Sequence, residues 1–515
     1  MNEISNQATS DPPLNPSKKG SFAGDVIKLV SGTSFAQLIT VLAAPLLTRL
    51  YSPSDFGVLA VFISTTDLLG VIACLSYEQA IVLPEDEKNA VNLFSLSLLI
   101  ASCLSLLSIP ILLASQPIFT IVLKMPEIIP YLWLLPISIM ATGSFYAFNY
   151  WNTRTRKFGR LALRRVINSL FAVIIQLGFA LAGWRTAGGL ILGYFGGVFI
   201  STMILGLEIW RDDKQLILGN VHWSVMIENL KRYRKFPMFT TWSTLLNVSS
   251  WQLPSYMLPA YFSKTISGYY ALGNRVLRLP MGLIGGTIGQ AFFPRAARAR
   301  ENGTLDIVVE NVFNRLVAFS LFPLLVIAIA GEDIFVIAFG ANWAEAGVYS
   351  QILSVWTFFW FISAPMSQLF NVLEKQEYNL AINMAIFVTR FIALTLGGLL
   401  GNARLTIVFF TISGILTYGF QSFYIIHSAG VKWERVFKIL GEKFSYFLPA
   451  GALLLFTKLV FDNPWATVVV AVLSAGIYYY FIIRSDEIIV ATIARNPYGR
   501  KVLNLVHIPF SREIV

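Results

Sequence analysis

Charge is scarce in this sequence. Only 13% of its 515 residues are Asp, Glu, Lys or Arg, while 56% are hydrophobic; soluble proteins carry about 25% charged residues. At a mean hydropathy of +0.65 there is too little charge to cover a water-facing surface, which excludes a soluble domain. The same numbers exclude a disordered chain, a coiled coil and collagen. Cysteine is nearly missing: Cys74 and Cys103 both lie in apolar runs, so neither a disulfide framework nor thiol chemistry is indicated. The three histidines are scattered, and there is no HExxH or paired CxxC; no metal or other cofactor is expected. There is no GxxxxGK[ST] loop, so ATP hydrolysis within this chain is not expected. Acidic residues number 28 against 39 basic ones, a net charge of +11. The excess sits in short segments between apolar runs, the pattern of a membrane surface rather than of a nucleic-acid partner.

What is there in quantity is apolar helix. A bilayer core of about 30 Å needs roughly 20 apolar residues per helix, and fourteen such runs fall between residues 22 and 483. The expected fold is an all-α polytopic membrane protein: two six-helix repeat bundles, 22–209 and 237–427, joined by a cytoplasmic linker at 210–236. Helices 13 and 14 with an interfacial segment occupy 428–484. Tails at 1–21 and 485–515 are expected to be cytoplasmic, the first disordered. The basic clusters Arg154–Arg165, Lys231–Lys235, Arg295–Arg300 and Lys432–Lys443 all fall on one side if there are fourteen spans, which also places both termini in the cytoplasm.

The halves echo each other. Tyr51-Ser52-Pro53-Ser54-Asp55-Phe56-Gly57 aligns with Phe262-Ser263-Lys264-Thr265-Ile266-Ser267-Gly268, an offset of 211, and weaker matches continue in the same order. Six helices per half make a parallel repeat, an arrangement of transporters in which the substrate site lies near the midplane between two bundles.

Ionisable residues at membrane depth are expensive and usually face a wet cavity. Asp67 lies ten residues beyond Gly57, about 15 Å along its helix and so near the midplane. The repeat offset carries it to Arg278. Arg275 lies one turn away on the same face, and Arg390 near the centre of a later helix. Two readings are open: Asp67 and Arg278 form a structural ion pair holding the halves together, or Arg275, Arg278 and Arg390 form a cationic wall for an anionic substrate. Arginine suits the second because its fork binds phosphate oxygens bidentately. Lys28 and Glu78, nearer the cytoplasmic ends, complete the candidate substrate-binding residues. Asn149, Gln176, Asn247, Gln252, Gln290, Gln368, Asn371 and Asn383, with Trp242, Trp251 and Trp360, could supply a subset for sugars. The glycine rows Gly189/Gly193/Gly197 and Gly285/Gly289 read as close helix packing.

Several stretches resemble the polysaccharide-transport branch of the multidrug/oligosaccharidyl-lipid/polysaccharide exporter superfamily, which includes O-antigen (Wzx-type) flippases. They are Leu46-Leu47-Thr48-Arg49-Leu50-Tyr51-Ser52-Pro53 with Asp55-Phe56-Gly57, Tyr77-Glu78-Gln79-Ala80-Ile81-Val82-Leu83-Pro84, Tyr150-Trp151-Asn152-Thr153-Arg154, Arg232–Pro237, Tyr270–Leu277 and Gln290–Arg295. Arg278 departs from the family pattern. The resemblance implies a flippase, not an enzyme, that moves a polyprenyl-pyrophosphate-linked oligosaccharide across a bacterial inner membrane. Membrane lipid is an implied partner, as are a polysaccharide polymerase and chain-length machinery. A multidrug/cation antiporter would want an acidic site, and a membrane enzyme of polysaccharide assembly a sizeable outward loop; neither is seen. A scaffold would need neither the repeat nor the deep charges.

Overall fold

Ser52 and Asp55 end one helix and start the next. The Ser52 hydroxyl accepts the Asp55 N–H (3.3 Å) and the Asp55 carboxylate accepts the Ser52 N–H (2.9 Å), with Pro53 preset for the first helical position. This reciprocal cap separates α1 (Phe22–Leu50) from α2 (Pro53–Ile72). At the repeat offset, Ser263 caps α9 (Lys264–Leu277) in the same way, accepting the Ile266 N–H at 3.3 Å.

The computed structural model describes residues 22–282, 286–461, 463–485 and 490, with side chains from residue 31 onward except 283–291 and 485. The expected tail at 1–21, nearly all of that at 485–515, and Gly285 of the row Gly285/Gly289 lie outside what is described. The remaining helices are α3 (Glu87–Ala114), α4 (Leu134–Arg154), α5 (Phe158–Leu181), α6 (Ala187–Asn220), α7 (Trp223–Arg232), α8 (Thr241–Tyr261), α10 (Gly286–Glu301), α11 (Leu305–Phe339), α12 (Ala344–Met366), α13 (Leu369–Val372), α14 (Gln376–Leu399), α15 (Ala403–Ser428), α16 (Trp433–Phe461) and α17 (Pro464–Ser485). Among the described residues there is no β-strand. The chain is an all-α polytopic membrane protein.

Eleven helices among the described residues are long and apolar enough to cross a membrane, three short of the expected fourteen. The other three expected spans correspond to α4, α8 and the α9–α10 stretch. In α8 polar groups such as Asn247 and Gln252 dilute the hydropathy, while α9 and α10, at 14 and 16 residues, are each too short to cross alone. Residues 210–220, expected as linker, continue α6 as helix. There Asp212 and Asp213 pair with Lys157 (3.5 and 3.3 Å), and Asp212 also with Arg160.

Helices up to α6 pack mainly on each other, and α8 to α15 do likewise, with α16 and α17 laid against α11. Contact between these two sets runs chiefly through α2, which meets both α8 and α9. A shared apolar cluster there contains Phe56, Phe62, Leu272 and Trp343. Many large apolar side chains, including Leu106, Ile111, Leu399 and Leu459, are exposed, as helices solvated by lipid require.

Candidate functional site

Three helices from the first set present small or polar groups at helical spacing to the space beneath the α2–α9 contact. They are Thr33, Ala36, Gln37 and Thr40 on α1; Ala60, Ser64 and Asp67 on α2; and Arg165, Asn168, Ser169, Ala172 and Gln176 on α5. Spacings of three and four residues put each series on one helix face. Opposite them stand Trp251 and Gln252 of α8, Asn274 and Arg275 of α9, and Arg278 just beyond it. Together they enclose a cavity of about 610 Å³.

The charges in this cavity are Arg165, Arg275, Arg278 and Asp67, an excess of two positive. Arg275 and Arg278 are exposed within it. Such guanidinium groups keep their hydration while surrounded by protein, which is how a charge is tolerated at depth. Asp67 does not pair directly with Arg278: among the described residues its carboxylate accepts a hydrogen bond from Gln252 Nε2 at 2.8 Å. Gln252 Oε1 in turn accepts from the Ser64 hydroxyl at 2.8 Å. The Asp67–Gln252–Ser64 chain therefore links α2 to α8. Arg278 lies over Trp251 (4.9 Å to the ring centroid) and Trp360 (5.6 Å), contacts worth about 0.5–1 kcal/mol each at an exposed site.

Arg390, expected on the same wall, lies behind it and does not line the cavity. It has no solvent exposure. The aromatic rings of Trp251, Trp356, Phe410 and Tyr418 surround its guanidinium at 4.6–5.4 Å. It donates to Ser250 O and Oγ and to the Tyr418 hydroxyl at 3.3–3.4 Å. The four aromatic rings fill the space through which water would reach it.

Glu78 also lies away from the cavity. It sits beyond the end of α2 in the short 3-10 turn Tyr77–Val82, buried, with Oε2 lacking a hydrogen-bond partner. Burial pushes its carboxyl up to about 7. The two residues before it tie this turn to α7 and the start of α8: Ser76 Oγ meets Thr241 Oγ1 at 2.9 Å, and Tyr77 donates to Leu230 O at 2.9 Å. Lys28 falls on α1, its side chain outside the described residues.

Of the uncharged candidates, Gln176, Gln252 and Trp251 line the cavity. Trp360 packs behind it, Trp242 is exposed, Asn247 donates to Asn383 (3.3 Å), and Gln290 lies outside the described side chains. Arg165 reads in the sequence only as one of the loop cations. The signal that marks it is the series Arg165, Asn168, Ser169, Ala172, Gln176 in an otherwise apolar run. The row Gly189/Gly193/Gly197 packs as expected: a Cβ at Gly193 or Gly197 would run into α5 at Ala172, Gln176 or Asn168.

One side of the cavity is sealed. Gly57 and Gly268 let α2 and α9 touch backbone to backbone: a Cβ on Gly57 would overlap the Lys264 carbonyl, and one on Gly268 the Pro53 carbonyl. Around them Lys264 pairs with Glu127, Trp343 Nε1 donates to Thr48 O at 3.0 Å, and Phe56 packs edge-on to Trp343.

Residues 46–348 match the family model described as "Polysaccharide biosynthesis protein". The succinoglycan biosynthesis transport protein ExoT of Rhizobium meliloti (strain 1021) is 22% identical over 327 residues, a match spanning 61% of either chain. Among solved structures, the lipid II flippase MurJ in an inward closed conformation superposes with a TM-score of 0.66 at 13% identity, over 89% of this chain and 99% of that one. An inward-facing multidrug resistance MATE transporter gives 0.61 at 13% identity, over 79% and 94%. At such identities these two show the fold alone. Composition, fold and the family match agree: the chain belongs to the polysaccharide biosynthesis protein family and has the all-helical fold of MurJ and the MATE transporters.

Proposed function

We propose that this protein is a flippase that carries a polyprenyl-pyrophosphate-linked oligosaccharide, an O-antigen or capsule/exopolysaccharide repeat unit, across the bacterial inner membrane by alternating access. The observation that carries this reading is the placement of Arg275 and Arg278, exposed within a cavity between the two helix sets. A pyrophosphate loses its hydration on crossing hydrocarbon. Fixed guanidinium groups replace that hydration, offering bidentate donors that stay charged throughout. Gln176, Gln252, Asn168 and Asn274 supply donors and acceptors for sugar hydroxyls, and the polyprenyl tail stays in lipid. In this reading both termini are cytoplasmic. The seal at Gly57 and Gly268 is then periplasmic, and the cavity is the cytoplasm-directed one; rocking the two sets about α2 would exchange access. A polymerase and chain-length machinery would receive the product.

A drug/cation antiporter would be expected to hold more acid than base in its cavity, the reverse of the balance here. The test is complementation of a strain lacking its own copy. Arg275→Glu or Arg278→Glu should reduce surface polysaccharide at least about tenfold, as losing one charged hydrogen bond to substrate would. Normal surface polysaccharide from both variants would refute the proposal.

A further inference from the structure

A second cavity, sharing no lining residue with the first, lies between the beginnings of α11 and α16. At 35 residues, α11 is roughly 50 Å long against a hydrocarbon core of about 30 Å. Its first turns, carrying Asp306 and Glu310, therefore stand at headgroup level. The start of α16 is at the same level: Trp433, Phe437, Phe444 and Tyr446 are exposed there, the aromatic signature of a membrane interface. Between the two helices is a space of about 420 Å³ lined by Glu310, Asn311 and Asn314 on one side and Arg435, Lys438 and Glu442 on the other.

Two carboxylates and two cations line it, and their pairing is incomplete. Arg435 donates to Glu310 at 2.7 Å. Glu442 accepts from Lys443 at 2.8 Å and from the Tyr446 hydroxyl at 3.3 Å, both through one oxygen. Lys438 makes no direct salt bridge among the described residues, its charge reaching Glu442 only from a distance, and Asn314 Oδ1 is buried with no donor. A buried acceptor without a donor is costly, so the cavity lacks an N–H donor at one point and an anion at another. One ligand class supplies both: a phosphate joined by a short linker to a primary ammonium.

We propose that this cleft holds the headgroup of a phosphatidylethanolamine-type lipid, its phosphate on Lys438 and Arg435 and its ammonium on Asn314 and Glu442. A choline headgroup has no N–H to donate, and a glycerol headgroup has no cation, so neither meets both demands. A lipid held there would bridge α16 to α11.

The test is native mass spectrometry of the full chain in detergent, offered equimolar phosphatidylethanolamine, phosphatidylcholine and phosphatidylglycerol with identical acyl chains. Phosphatidylethanolamine should be retained about tenfold over either competitor, since hydrogen bonds to a charged group decide the difference. Stepwise N-methylation of its amine should lower retention at each step. Lys438→Gln and Glu442→Gln should each bring retention down to the phosphatidylcholine level. Lys438 is exposed and makes no direct salt bridge, so its variant should fold, with an unchanged lipid-free melting temperature as the check. Equal retention of the three lipids, a preference for phosphatidylglycerol, or full retention by both variants would overturn the proposal.

Discussion

Arg278 and Arg390 lie at nearly equal distances from the Trp251 ring, 4.9 and 4.6 Å, yet one is open to the cavity and the other sealed. Their substitutions should separate. Arg390→Ala would leave a void among four rings and strand the Ser250 and Tyr418 hydroxyls, so we expect a loss of about 2–4 kcal/mol, read as a lower melting temperature. Arg390→Met fills the volume and removes the buried charge, and should restore most of that stability along with transport. Arg278→Met should fold normally and lose transport. Glu78 gives a pH signature. Its carboxyl is raised from 4.5 to about 7 in the folded protein, so the folded state favours the protonated form. The associated stability is complete below about pH 4.5 and is lost as pH rises through 7, up to about 3 kcal/mol. The melting temperature of the unsubstituted protein should therefore fall between pH 5 and 8 relative to Glu78→Gln, which stays neutral; parallel curves would contradict this.

Between α2 and α9 the contact depends on two glycines related by the repeat offset, each facing the other helix's backbone. Gly57→Ala or Gly268→Ala cannot coexist with this closure. In a background lacking Cys74 and Cys103, a cysteine at Ser64 should become more reactive toward a membrane-impermeant thiol reagent applied from the sealed side. Unchanged labelling would mean that the α2–α9 contact is not the barrier. Within α5, the series from Arg165 to Gln176 forms the cavity face, while Gly193 and Gly197 of α6 pack against the same helix.

For the whole molecule, the excess of two positive charges in the cavity is the property that distinguishes the two exporter readings. Since Asp67 bonds to Gln252 rather than to Arg278, exchanging Asp67 and Arg278 should not restore transport lost in either single reversal. Rescue by the exchange would show that the two pair in another state of the cycle. Reporter fusions at either terminus should be active only in forms that function in the cytoplasm, since the basic segments share a side under the fourteen-span reading.

Much of this was legible in the sequence. Scarce charge and long apolar runs required a helical membrane protein, because lipid leaves no other partner for the backbone. The offset of 211 pairs Ser52 with Ser263, which both cap helices, and Gly57 with Gly268, which meet. Asp67, Arg275 and Arg278 stood out in the sequence because charges are conspicuous in helices otherwise suited to hydrocarbon. Depth along a helix can be had from counting residues, but the direction in which a side chain finds water depends on neighbours remote in sequence. Hence the chain by itself determined that charges interrupt apolar helices and where along each helix they fall. Only the tertiary structure decided that aromatic rings from three other helices enclose Arg390, that Arg165 turns inward, and that Glu78 is buried in a connecting turn, because solvent access is a property of packing among helices.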